Sequence, residues 1–566
     1  MAGPVAIRLP GRYGVQALAV AARRQLAAEW RGSPPHRWML ARPAPQGLAG
    51  APRDLRPADP KAGARILAGA FVLAGATLTV GPKGDPWDRP SPDRAFAVAL
   101  HRMDWLRDVL AAGPAGPAEA LRLVLEWRRA FGRWNAFSWS PEVLERRVFN
   151  LACAIRAVTA PASDAEAADV ALDLARQARC LLQVGDGPAR AAERAAAAAV
   201  AGAALGGPAG DRLLAEALAR LDQALPAATP EAGGHGSRSP QAALELLFDL
   251  LTLEDALSQR GLAPSPDLAR AIEQLSVAVR FFTLADGALA AFQGGEACPP
   301  AYVSAIRRQE DAAPPPPASL GGYHRLEGQS LQVIIDAAPP ARGAWSATAC
   351  AQPLAVEVLT GGRRLIVGGG WSPLAQGPQA MRLVDAASTA SLGDAACGEP
   401  LRGFPARILG PRLVGVGPTV EVRRDEALGA LWLEAAHEGW VDRFGLRHER
   451  RLYIDTAADE LRGEDRFTPA GAAGDGRRFV PFIVRFHLHP QVAAMIARDR
   501  KSVLLRAEGQ EQGWWLRSDA GEAALEPSVR YQDGQARRSQ QVVLRGQARV
   551  EKGARLRWKL SAAESR

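Results

Sequence analysis

The residues best placed to do chemistry are few and scattered. His235 and Arg238 stand in the run Gly233-Gly234-His235-Gly236-Ser237-Arg238, directly before Ser239-Pro240. An arginine fork and the free amides of a helix start both favour anions, so this pair predicts a carboxylate or sulfate site. The same run also reads as a loop held by local hydrogen bonds. Arg147 and Asn150 are three apart on a predicted helix and share a face, as a structural pair or as a cleft lining. Tyr323-His324 open the first strand of the second half. His437 and His448 flank a predicted hairpin, where structural histidines are the ordinary reading and a ligand contact from His437 is the alternative. His487 and His489 are two apart on a strand and face one way, but two ligands are too few for a structural zinc. Cys350 has no histidine or carboxylate partner near it in sequence. Gly368-Gly369-Gly370 precedes no helix and reads as a turn rather than a phosphate loop.

The elements that position these residues change character along the chain. Residues 1–90 are rich in proline and are expected to be irregular, with a helix closing over Arg24 to Trp30 and a short hairpin over Phe71 to Val80. Residues 91–312 carry helical signals. Ser91-Pro92, Ser140-Pro141, Ser239-Pro240 and Ser265-Pro266 each pair an N-cap serine with a proline at the first helical position. Ser163-Asp164-Ala165-Glu166 is a capping box. Leu244, Leu247, Phe248 and Leu251 share one helix face; Leu268, Ile272, Leu275, Val279 and Phe282 share another. Residues 313–322 form a proline-rich hinge around Pro314 to Pro317. Residues 323–566 read as short strands, among them Leu354 to Leu359 and Arg364 to Val367 joined through Thr360-Gly361-Gly362, then Thr419 to Arg423, Ala430 to Ala435, Leu446 to Ile454, Phe479 to Leu488, Ser502 to Arg506 and Gln540 to Leu544. Amphipathic helices in series followed by many short strands predict a helical array, solenoid or toroid, joined to an antiparallel β-sandwich.

At 566 residues the chain exceeds one ordinary core and predicts two or three domains. Its net charge is +9, carried almost wholly by arginine. That charge is spread along the chain with no dense basic block, so a nucleic-acid partner is not expected. Five widely spaced cysteines with no CxxC pair read as free thiols rather than a disulfide framework or a zinc ribbon. Met1 to Trp30 lacks an uninterrupted apolar core, and no apolar run is long enough to span a bilayer. No membrane partner is expected, and a cytoplasmic location is.

Several stretches, in order, resemble the heparinase II/III family of polysaccharide lyases. They are Leu100-His101-Arg102-Met103-Asp104-Trp105-Leu106-Arg107-Asp108, then Trp127, then Trp134 through Trp139 and Arg146-Arg147-Val148-Phe149-Asn150. The Gly233 to Pro240 run follows. In the strand half come Gly322-Tyr323-His324-Arg325-Leu326, Gly362-Arg363-Arg364-Leu365-Ile366-Val367, His437-Glu438-Gly439-Trp440 and His448-Glu449-Arg450-Arg451. The resemblance implies an α+β multidomain chain, an N-terminal (α/α) toroid of antiparallel helices followed by a C-terminal antiparallel β-sandwich, with a glycan cleft at the seam.

It further implies β-elimination at a uronic acid, and an acidic oligo- or polysaccharide as partner. That chemistry needs a neutraliser for the sugar carboxylate, a base for the neighbouring proton and an acid for the leaving oxygen. Members use an Asn or His on a toroid helix, a Tyr, and a sandwich His; some hold a structural zinc beside that His. Here the corresponding positions are Ala189, Ala242 and the run Thr348-Ala349-Cys350-Ala351-Gln352. The zinc positions fall on Gly368 and Ala387, so no metal cofactor is expected. Between Gly14 and Ala301 there is no tyrosine. A relocated catalytic set would then be His235, Tyr323 and His324. The substrate-binding set would be Trp134, Trp139, Arg147, Asn150, Arg238 and His437, with the tryptophans stacking on sugar rings or packing in the core. Two readings follow: a divergent lyase, or a non-catalytic glycan-binding or scaffold protein that keeps the fold.

Overall fold

In a computed structural model, the described residues are 11–185, 187–309, 314–373, 379–415, 419–427, 429–474, 476–532 and 534–563. Residues 310–313, where the helical half was expected to end and the hinge to begin, lie outside them. Pro314 to Pro317 carry no helix or strand.

The helical half is built from local signals that work as expected, with two exceptions. Ser239 and Ser265 accept hydrogen bonds from the amides of Ala242 and Leu268, starting the helices Pro240–Gln259 and Pro266–Phe282. Ser163 and Glu166 close the capping box of Asp164–Leu182. Ser140 precedes Pro141–Thr159, but its side chain makes no capping bond. Ser91 caps nothing: the helix Arg94–Arg102 starts two residues later, where the Asp93 carboxylate takes the Phe96 amide at 2.8 Å. Aspartate is as good a cap as serine, and the nearer one wins.

Residues 11–90 hold more regular structure than expected, although 41–59 are largely irregular. Arg12–Gly32 is a helix of 21 residues, followed by Pro34–Leu40 and Pro60–Leu67. Their prolines occupy the first helical turn, where a missing amide costs no hydrogen bond. Ser33 and Asp59 supply the caps. The expected hairpin is present as Ala70–Leu73 paired with Ala76–Thr79.

The helix Ala191–Ala204 runs through the centre of this half, with twelve of its residues buried. Alanine lets its neighbours Pro141–Thr159 and Gly207–Ala228 approach closely. At Gly202 an added Cβ would stand 2.6 Å from the Leu214 amide nitrogen, so even alanine is too large there. This buried helix presents its first turn, Ala191 to Arg194, toward the second half.

The second half is a β-sandwich. Among the described residues, one antiparallel sheet has eight strands, with Val420–Ala427 and Val492–Ile496 at its edges; the other has nine. The strand Leu446–Asp455 alternates buried and half-exposed positions without a break, the signature of one face on the core. Val333, Val358, Leu365 and Phe486 of one sheet share a core with Leu433, Leu452, Leu461 and Trp558 of the other. Val356–Thr360 and Arg363–Val367 form the predicted hairpin, and Gly361 and Gly362 supply the two positive φ angles of its turn, 52° and 73°.

Polar side chains of the sandwich fasten the two halves. Arg325 donates to the carbonyls of Phe281 and Thr283 at 2.8 and 2.9 Å. Arg364 pairs with Asp286 at 2.6 Å and donates to the carbonyls of Ala288 and Leu289. Arg325 thereby meets carbonyls at the end of the helix Pro266–Phe282, and Arg364 meets the loop that follows it.

Candidate functional site

Two polar groups meet at the seam. The first is centred on Arg238. This residue has a left-handed backbone, φ 63°, just ahead of the Ser239 cap. Its guanidinium donates to Asp336 at 2.6 Å and to the carbonyls of Gly321, Ala338 and Pro339. It lies 4.6 Å over the Tyr323 ring. Asp336 also accepts from Gln293 Nε2 at 2.7 Å, and Gln293 Oε1 accepts the Cys350 amide at 3.0 Å. The Tyr323 hydroxyl donates to the Arg238 carbonyl at 2.9 Å, and the ring packs against Phe282 and Phe292. Burial, then the Asp336 charge, push the Tyr323 hydroxyl well above its usual range. The arginine expected to fork onto a ligand forks onto the protein instead, and the tyrosine expected as an acid or base is sealed beneath it.

The second group is centred on Glu193, in the first turn of Ala191–Ala204. The Ser237 amide donates to His235 Nδ1, so the proton of the neutral ring sits on Nε2. Nε2 lies 3.5 Å from Glu193 Oε1, and Trp345 meets the ring edge-on at 5.3 Å. Burial opposes the Glu193 charge, but Arg190 and His235 outweigh it and hold the carboxyl at about 2. Arg190, with φ 61°, spans Glu193 at 3.6 Å and the buried Glu145, onto which its Nε donates at 3.1 Å. Half of the Arg190 side chain is exposed. It is therefore the member of this group that can meet an anionic ligand, while His235, 4% exposed, stays behind it.

His324 does not join Tyr323. Successive strand residues point to opposite faces, so the two cannot share a site. His324 is half-buried, and burial and the nearby Arg424 lower its pKa.

The expected substrate-binding set is dispersed. Arg147 is fully buried, donating to Gln177 and to the carbonyls of His101 and Ser138, and stacked 4.2 Å from Trp127. Burial lowers its pKa to about 9. Asn150 bonds Asp104 and the Arg102 carbonyl. Trp139 is buried with its indole N–H on the Phe131 carbonyl. These three organise helix packing and are not cleft residues. Trp134 packs on Gly32 and lines an open groove with Gln25 and Glu29.

His437 is inside the sandwich. Its Nε2–H donates to His448 Nδ1 at 3.1 Å, and His448 Nε2–H donates to Asp465 at 2.8 Å. Arg450 pairs with the same carboxylate through two nitrogens. This is a closed structural relay, out of reach of any ligand. His487 is likewise engaged, by Ser528 and the Asp385 carbonyl.

The zinc positions do not suit a metal. Gly368 and Ala387 have no donor side chain, and burial pushes the Cys350 thiol up to about 11. Among the described residues, no group of three or more His, Cys, Asp or Glu side chains is arranged to hold an ion. No described helix is long and apolar enough to cross a membrane.

Sequence reasoning missed Arg190, Glu145, Glu193 and Trp345 as a group. The signal available was the i,i+3 pair Arg190 and Glu193 at the head of an alanine-rich helix.

The chain is similar to proteins of two kinds. A family model described as heparinase II/III-like, C-terminal, matches residues 310–559. FtsZ-localized protein C of Caulobacter vibrioides (strain NA1000 / CB15N) is 51% identical over 564 residues, which is 98% of this chain and 97% of that protein. A crystal structure of heparinase III superposes with a TM-score of 0.68 at 14% identity, covering 86% of this chain and 81% of the other. A heparan sulfate lyase HepC mutant from Pedobacter heparinus superposes with a TM-score of 0.59 at 14% identity, covering 99% and 92%. The solved structures share the order seen here, a helix-rich N-terminal region followed by antiparallel sheets.

Proposed function

This chain belongs to the heparinase II/III-like family, and on that premise we propose that it is a non-catalytic member, a binding or scaffold protein that works where FtsZ is located. The observation that carries the first half is the Tyr323–Arg238 contact. A lyase needs a tyrosine or histidine within hydrogen-bond reach of the sugar proton, and a free donor set for the carboxylate. Tyr323 spends its hydroxyl on a backbone carbonyl, Arg238 spends its guanidinium on Asp336 and three carbonyls, and His235 faces Glu193. The second half is supported by end-to-end similarity to a protein named for its FtsZ localisation. A cytoplasmic location belongs to the same proposal.

A glycan contact remains part of this reading through Arg190. Its half-exposed guanidinium is engaged by Glu145 through Nε and Nη2, so an acidic oligosaccharide would be met by the Nη1 edge, in competition with Glu193 at 3.6 Å. Binding there needs no proton transfer and no metal.

The test is localisation in the native host. A fluorescent fusion of the full chain is expected to coincide with labelled FtsZ and to disperse when FtsZ is depleted. A fusion whose distribution ignores FtsZ would overturn the assignment.

A further inference from the structure

A cavity of about 450 Å³ opens on the seam, lined by Asp286, Cys298, Pro299 and Pro300 of the helical half and by residues of the sandwich. It shares no lining residue with the Arg238 or Glu193 groups. Its size falls in the range of small-molecule sites. The sandwich side brings four arginines to it: Arg363, Arg364, Arg530 and Arg537. The carboxylates on the wall are Asp286 and Glu508.

The arginines differ in what they have left to give. Arg364 is spent, on Asp286, Glu357 and two carbonyls. Arg530 is not. Its side chain is 2% exposed, and its Nη1 donates to the Gly368 carbonyl at 2.8 Å with Glu357 3.6 Å away. Its Nη2 is buried and has no hydrogen-bond partner among the described residues. A buried guanidinium with an idle donor pair is a costly arrangement unless something accepts from it. Arg363 and Arg537 are exposed at the same cavity. His489 lies on the wall, where its Nδ1 accepts the Gln491 amide at 3.4 Å. The ring proton is then on Nε2, which adds a neutral donor beside the Arg530 cation. Burial, with Arg530 and Arg364 nearby, keeps that ring uncharged down to about pH 4.

We propose that this cavity is an oxyanion-binding site, taking a small ligand whose carboxylate or phosphate accepts from Arg530 Nη2 at the base while Arg363 and Arg537 close on its outer charge. The planar guanidinium matches both oxyanions, and the two outer arginines favour a ligand with more than one negative charge. The inference goes beyond the scaffold reading and does not depend on it. No bond is made or broken.

The experiment is calorimetric titration of the full chain with inorganic phosphate and, separately, with succinate, against sodium chloride of matched ionic strength. Saturable binding is expected for at least one. Phosphate alone would assign a phosphorylated ligand, succinate alone a carboxylate ligand, and both a general oxyanion site. Arg530→Gln removes the central donor. The double variant Arg363→Ala/Arg537→Ala touches only exposed side chains and guards against misfolding; it is expected to weaken binding roughly tenfold or more. No saturable binding of either anion would overturn the proposal. So would binding that the double variant leaves unchanged, which would mark an adventitious surface contact.

Discussion

The hydroxyl of Tyr323 and the guanidinium of Arg238 lock each other: the phenol donates to the arginine carbonyl at 2.9 Å, and the arginine stacks 4.6 Å over the phenol ring. One residue comes from the first long strand of the sandwich and the other from the loop ahead of Pro240–Gln259, so the contact joins the two halves. It gives this seam a fastening where a cleft chemistry would need free groups.

Removing either side of that fastening should cost stability, unequally. Tyr323→Phe loses one hydrogen bond, about 1 kcal/mol. Arg238→Ala leaves Asp336 buried with Gln293 as its remaining side-chain donor, and breaking such a pair costs about 3–5 kcal/mol. Urea unfolding should show Arg238→Ala as the much weaker protein. Equal midpoints for the two variants would contradict the packing described.

Stability should fall with acid below about pH 6.5. Burial holds His101 at about 3 and His487 at about 4, and it lowers His437 and His448 as well. The unfolded chain protonates these rings near pH 6.5 while the folded chain does not, so the unfolded state binds more protons as pH drops. Asp173 works in the other direction. Burial raises its carboxyl to about 6, so its contribution is lost as pH rises from about 4 to 6. The histidines outnumber it, so unfolding at pH 5 should take up protons. Urea midpoints at pH 5 and pH 7.5 check this; a midpoint higher at pH 5 would refute it.

Gly463 pairs with Trp558 across the eight-stranded sheet, and a Cβ on Gly463 would sit 2.1 Å from the indole. Gly463→Ala should therefore overpack the sandwich core by about 1–3 kcal/mol. Loss of the buried Trp558 fluorescence environment would accompany it. A neutral substitution would mean that the indole has room to move.

Arg190 and His324 should behave oppositely toward an acidic oligosaccharide. Arg190→Gln removes the exposed half of an ion-paired guanidinium and should weaken binding roughly tenfold. His324→Ala, on the face away from Tyr323, should leave affinity unchanged. Calorimetry on the two variants distinguishes them, and a loss confined to His324→Ala would move the ligand to the other side of the strand.

Much of the architecture was legible because its signals are local. Ser239-Pro240, Ser265-Pro266 and the Ser163 capping box fix helix starts within a few residues, and Phe479 to Leu488 was read with the strand's own bounds. The N-terminal helix Arg12–Gly32 is longer than the expected close over Arg24 to Trp30, because the nearest prolines that argue for irregular structure fall in the first turn of the next helix and disturb nothing. The site was less legible because function there depends on which donors are already spent. Nothing in the letters says that Asp336 reaches Arg238 across 98 residues. Tyr323 and His324 stand in one expected catalytic set, although strand period alone puts them on opposite faces. Arg147 and Asn150 were correctly placed on one helix, but whether that surface faces a cleft or a neighbouring helix is decided by tertiary packing.

The central claim is that this fold is kept without the elimination chemistry. Its most direct test is the ultraviolet absorbance of the unsaturated uronate, followed while the purified full chain is incubated with a panel of acidic oligosaccharides. A flat trace is expected, with binding that depends on Arg190. A rising absorbance that Tyr323→Phe abolishes would contradict this and place a working acid or base at the buried Tyr323.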